Sequence, residues 1–166
     1  MIENSVTKQQ EVIIKMVLDA WHLKVSQFDK LLVELSDEQL LKEVAPGRNR
    51  GIYLLGHLTT LADSIFPLLG FEKQAPHLWK PFVQTSDKDS ADVLTVAELR
   101  QEWIKVTTML WEKIAAISSN EWFERHSAIS EEDFLKEPHR NKLNIVLSRV
   151  SHVDYHLGQI QFLKAR

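Results

Sequence analysis

Along residues 5–35 the apolar positions Ile13, Ile14, Val17, Leu18, Trp21, Val25, Phe28, Leu31, Leu32 and Leu35 recur at three- and four-residue steps. That spacing lays one apolar stripe along a long helix. Ser36-Asp37-Glu38-Gln39 then reads as a cap and first turn carrying Leu40 and Leu41, until Pro46-Gly47 breaks it. Asn49 is the expected cap of a second long helix. Ile52, Leu55, Leu58, Ala62, Ile65 and Leu69 form its buried stripe, and Pro67 with Gly70 closes it. Residues 71–94 hold Pro76, Pro81 and a polar run from Thr85 to Asp92 without a sustained period, which predicts a long loop. Loops of this kind often border a site, so His77, Trp79 and Phe82 are candidate substrate contacts. Thr95 and Glu98 have capping-box spacing and open a third helix through Leu99, Trp103, Val106, Leu110, Ile114 and Ile117, ended by Ser118-Ser119-Asn120. After an irregular stretch over 122–138, a last helix is expected over 141–163. Its Val146, Val150, Val153, Leu157 and Ile160 alternate steps of four and three, the seam of a helix bundle. No run alternates as a strand would and no repeat appears. The expectation is an all-α chain of four long helices, with a long connection between the second and third.

Composition narrows the function classes. With 166 residues, 44% of them hydrophobic, and only 5 Gly and 5 Pro, one globular helix-rich domain over 1–166 is expected. A formal charge of -3 argues against a nucleic-acid partner, because phosphate binding needs a net basic face. The one basic cluster, residues 136–142, is interrupted by Glu137 and Pro138 and reads as a solvated loop and helix start. The first ten residues have no apolar core of the signal-peptide kind, and no segment approaches the roughly 18 apolar residues of a membrane span. A soluble, cytoplasmic protein without membrane contact is the expectation. Cysteine is absent, so any bound metal must be held by nitrogen and oxygen.

Candidate chemistry lies in Ser-His-Val-Asp-Tyr-His-Leu-Gly-Gln-Ile, residues 151–160. At about 3.6 residues per turn, His152 and His156 leave one face of the last helix one turn apart, which makes half a metal site. His57, in Leu-Leu-Gly-His-Leu at the margin of the second helix's stripe, is the leading third ligand. The same spacing also suits two core-edge side chains without a metal. His22, His77, His126 and His139 read as structural or exposed, with His22 the nearest rival. Three imidazoles suit Zn, Ni, Fe, Co or Cu and leave a coordination position open for water or substrate. Binding should weaken as pH falls toward the ordinary imidazole pKa of about 6.5. Val153, not Glu, follows His152, so the pattern is not that of a zinc protease helix.

Asn-Arg-Gly-Ile-Tyr-Leu-Leu-Gly-His-Leu, residues 49–58, resembles the start of the second helix in the DinB/YfiT-like superfamily. Residues 151–160 resemble that family's closing signature, His-x-x-x-His followed by Gly-Gln-Ile. The likeness follows helix order over nearly the whole chain. It implies an up-down-down-up four-helix bundle with one long crossover, and a metal-binding triad falling on His57, His152 and His156. Relatives of this kind commonly form homodimers. Characterised ones join a low-molecular-weight thiol to an electrophile at a divalent transition metal. Because the family's loops vary, the resemblance carries over no substrate residue.

The leading functional reading is therefore a metal-dependent thiol transferase acting on small molecules with Zn, Ni or Fe. Tyr53, one turn before His57, and Gln159, three residues after His156, are candidates to orient the imidazoles or a bound water. The same metal could instead activate water for hydrolysis, but no Glu or Asp stands in the motifs as a general base. The reading from another class is a non-catalytic helical binding protein with a vestigial site.

Overall fold

The computed structural model describes residues 7–89, 91 and 93–164. The first helix, α1 (Lys8–Glu34), opens on a capping box: Gln10 N–H donates to Thr7 Oγ1 and Thr7 N–H donates to Gln10 Oε1. Residues 5 and 6, expected in this helix, lie outside the described residues. Ser36 and Gln39 repeat the device at α2 (Asp37–Leu40). Each box satisfies amides that the first turn leaves without partners.

The third helix, α3 (Gly51–Asp63), corrects the expected cap. Arg50, not Asn49, is its N-cap, and no side chain caps the turn. Contacts from elsewhere in the chain supply the reason: one buried carboxylate, Asp87, accepts from the Arg50 amide at 2.7 Å and from its guanidinium Nη2 at 2.7 Å, and the Lys42 carbonyl accepts from the Gly51 amide at 3.0 Å. A partner 37 residues away has displaced the local signal. At Ser64 the chain passes into α4 (Ile65–Leu68), which contains Pro67, and turns at Gly70 with φ +93°. Only a residue without a Cβ adopts that conformation freely.

The long connection is not the structureless loop expected. It holds a 3₁₀ turn at Pro76–Leu78 and a π-helical turn at Lys80–Gln84. Buried Asp63 accepts from the amides of Gln74 at 2.6 Å and Ala75 at 3.0 Å, and the Tyr53 hydroxyl donates to the Thr85 carbonyl at 2.8 Å. Together with Arg50–Asp87 these bonds fasten both ends of the connection to α3.

Thr95 and Glu98 form the expected capping box of α5 (Val96–Ala115). A 3₁₀ turn (Glu121–Phe123) and α6 (Glu131–Lys136) follow in the stretch read as irregular. Asn141 caps α7 (Lys142–Ile160), whose last residues tighten into a 3₁₀ turn at Gln161–Leu163. The basic cluster proves charge-compensated, with Lys136 on Glu132, Arg140 on Glu137 and Lys142 on Glu124.

Among the described residues the fold is all-α, with seven α-helices and no strand. The principal packing contacts join α3 to α5 and α1 to α7, and α3 also meets α7. Their apolar stripes make one core that includes Trp21, Phe28, Leu55, Trp103 and Val146. Phe28 meets Trp103 edge to face at 4.9 Å, while the Trp103 indole N–H donates to Asp29 Oδ1 at 2.7 Å. Arg100 reaches from α5 to the carbonyls of Leu32 and Leu35, satisfying the open end of α1. No helix among the described residues is long and apolar enough to cross a membrane.

Candidate metal centre

Helices α3 and α7 bring the three histidines named above together. One ligand atom from each of His57, His152 and His156 lies within 4.8 Å of the others, and no Asp or Glu among the described residues joins the group. The ring centroids stand 5.3 Å apart for His57 and His152, 5.1 Å for His57 and His156, and 4.6 Å for His152 and His156. A cluster this tight satisfies the first requirement of a shared cation site.

Hydrogen bonds settle two tautomers. The ring nitrogen Nδ1 of His57 lies 2.8 Å from the Phe82 carbonyl oxygen, which can only accept, so Nδ1 carries the proton and Nε2 keeps its lone pair. In His156, Nδ1 lies 2.7 Å from Gln159 Oε1, while Gln159 Nε2 donates to the Tyr155 hydroxyl at 3.1 Å. With Gln159 Oε1, an acceptor, turned toward it, His156 Nδ1 donates and this ring too presents Nε2. Histidines that ligate metals commonly donate their second N–H in this way, which fixes ring orientation and raises basicity.

His152 differs. Its Nε2 is 3.2 Å from Nε2 of His156, and its buried Nδ1 has no hydrogen-bond partner. In the neutral protein, His152 Nε2–H can donate to His156 Nε2, at the expense of an orphaned acceptor on the far side of the ring. A cation shared by the three Nε2 atoms would use lone pairs that otherwise face one another. The all-nitrogen donor set and this unsatisfied ring therefore fit a divalent transition metal.

Burial lowers the pKa of all three imidazoles. Desolvation is the main cause for each, and His152 falls to about 4 because its two neighbouring imidazoles and Arg149 add to it. This shifts the pH window expected from an ordinary imidazole. Neutral ligands persist below about 6.5, so metal retention is expected to hold through that pH and to fail closer to the depressed values. The metal-free protein has a matching dependence. Between about 6.5 and the lower folded values the unfolded chain binds more protons, so this contribution to stability is complete above 6.5 and lost as pH falls toward 4. Thermal melts at pH 7.5 and 5.5 should show a larger loss of Tm in the wild type than in His152→Gln. An equal loss in the two would contradict the burial effect.

The remaining candidates are placed elsewhere. The exposed His22 ring lies 4.9 Å from that of Trp111, and His77 and His139 are also exposed. Buried His126 accepts at Nδ1 from the Ala128 amide at 3.2 Å. Trp79 lies beneath Lys73 Nζ at 4.4 Å. Tyr53 lies beside the site, its ring nearly parallel to that of His57 with centroids 6.2 Å apart, but its hydroxyl donates to Thr85. Sequence reasoning missed the Phe82 main chain. It named Phe82 for its side chain, whereas the carbonyl orients His57. The Gly56-His57 pair held the available clue, since Gly56 leaves the space into which the Phe82 ring packs.

The chain matches no protein-family model, and no curated protein matches it.

Proposed function

We propose that this protein is a metal-dependent transferase of the DinB/YfiT-like type, a single four-helix-bundle domain that joins a low-molecular-weight thiol to an electrophile. His57, His152 and His156 would hold a divalent Zn, Ni or Fe ion. The observation that carries this reading is the three-imidazole cluster with no carboxylate beside it. The two resembling motifs contribute the three histidines and add the family's thiol chemistry.

Bound there, the ion would act as a Lewis acid and bring a thiol's pKa below its ordinary value of about 8.5. The chain supplies the setting. Phe82 and Gln159 hold two of the rings by their Nδ1–H groups, so those side chains need little rearrangement to ligate. Because every donor is a neutral nitrogen, the protein leaves the cation's charge uncompensated and favours an anionic sulfur as the next ligand. No carboxylate stands in the cluster to take a proton from water, which favours a nucleophile that ionises readily by itself.

The test is thiol consumption with a panel of electrophiles, using protein loaded separately with Zn, Ni or Fe. A thiol adduct should form well above the uncatalysed rate, and His57→Ala should abolish the increase. Electrophile breakdown without thiol loss would replace this reading with hydrolysis. Metal binding with neither reaction would leave the non-catalytic reading in its place.

A further inference from the structure

Arg149 is charged, half-buried and not used by the chemistry above. It precedes His152 by three residues on the same face of α7, and its buried Nε has no hydrogen-bond partner. Its Nη2 makes one long contact, 3.4 Å, to the Ser64 hydroxyl. Among the described residues no ion pair reaches it. A guanidinium remains charged at any pH a protein tolerates, and partial burial without a counter-ion is unfavourable. Its position compounds the cost, because Arg149 adds, after desolvation, to the lowered pKa of both His57 and His152. Such a charge opposes cation binding alone and is offset once an anion lies between it and the cluster.

The spacing indicates how long that ligand must be. Ser64 follows His57 by seven residues along α3 and its C-cap, about 10 Å of helix rise. An anion held between Arg149 and Ser64 is thus set off from His57 along α3, and a ligand that also reaches the imidazoles carries a spacer between its anionic group and its ligating atom. We propose that Arg149 and Ser64 recognise the carboxylate of a thiol substrate whose sulfur goes to the three-histidine site. The substrate class is then a small thiol with a carboxylate a few carbons from sulfur. The proposal rests on the transferase reading for the sulfur end only. Guanidinium suits this role because its planar fork matches a carboxylate with two parallel hydrogen bonds.

The experiment uses cobalt(II)-loaded protein, in which sulfur ligation is followed by visible absorption. Its probes are 4-mercaptobutyrate and the neutral 4-mercaptobutanol. Wild type should bind the carboxylate thiol about tenfold tighter or better. Arg149→Gln and Arg149→Met should lose that preference with cobalt stoichiometry unchanged. Equal affinities in wild type, or a preference that survives both variants, would overturn the proposal. A second arm needs no metal: the Arg149 Nε–H resonance of the metal-free protein is followed during titration with butyrate and with inorganic phosphate. A saturable shift with butyrate supports the anion site even if cobalt fails to bind, in which case only the metal reading falls. No shift with butyrate, or tighter binding of free phosphate than of either butyrate or 4-mercaptobutyrate, overturns carboxylate recognition while leaving the metal reading intact.

Discussion

His57→Ala should weaken divalent-metal binding by more than about 100-fold, whereas His22→Ala should leave it unchanged. The magnitude follows from the geometry. Loss of a hydrogen-bond partner behind a ligating histidine typically lowers metal affinity by about 10- to 100-fold, and removal of the ligand itself exceeds that. His57 is the sole contribution of α3 to the cluster, so its removal leaves two imidazoles on one helix with nothing opposite them. His22 supplies the contrast because it is also a helical histidine, yet its exposed ring lies against Trp111. The Ala substitution also frees the Phe82 carbonyl, at a net effect of about 1 kcal/mol for one hydrogen bond. The apolar core survives that loss, so circular dichroism should stay wild-type while metal content changes. One ion per chain in the wild type, nearly none in His57→Ala and one again in His22→Ala is the expected pattern. Negligible metal in all three proteins would remove the metal centre.

Particular residues show how far the sequence reaches. Thr95 and Glu98 were legible because a capping box is closed within four residues and needs no distant partner. His152 and His156 were legible for the same reason, since helical geometry alone puts them on one face. Asn49 failed as a cap because distant groups hold the amides that follow it: Asp87, 37 residues beyond Arg50, takes the Arg50 amide, and the Lys42 carbonyl takes that of Gly51. The π-helical turn at Lys80–Gln84 escaped because Pro81 and a five-residue length hide any period, and its contribution to the cluster is a main-chain carbonyl. Arg149 carries no sequence signal beyond its place three residues before His152. Its unsatisfied Nε is a property of burial, which spacing does not encode. The pair on α7 is thus written locally, whereas the approach of His57 and the groups that orient and charge the cluster depend on tertiary contact.

Gly56→Ala is expected to destabilise the protein and weaken its metal site, although an exposed mid-helix Gly→Ala change ordinarily favours the helix by about 0.8–1 kcal/mol. A Cβ on Gly56 would stand 2.4 Å from both Cδ1 and Cε1 of Phe82 and 2.6 Å from Cζ. The ring cannot simply swing clear, because it is buried and lies 5.9 Å from the Tyr53 ring. Overpacking of this kind costs about 1–3 kcal/mol, which outweighs the propensity gain over most of that range. Any shift of Phe82 is also transmitted to the carbonyl that holds His57 Nδ1, so metal affinity should fall with stability, by about 10- to 100-fold. Gly158 is the internal control: it too lies in a helix, but a Cβ there meets nothing within 4 Å, and Gly158→Ala should therefore raise Tm. Phe82→Leu made together with Gly56→Ala should recover part of both losses, because contacting residues couple in a double-mutant cycle. If both glycine variants raised Tm and retained wild-type metal affinity, the Phe82 carbonyl would lose its role in orienting His57. The opposite signs at two helical glycines are what separate a close approach that serves the cluster from ordinary helix propensity.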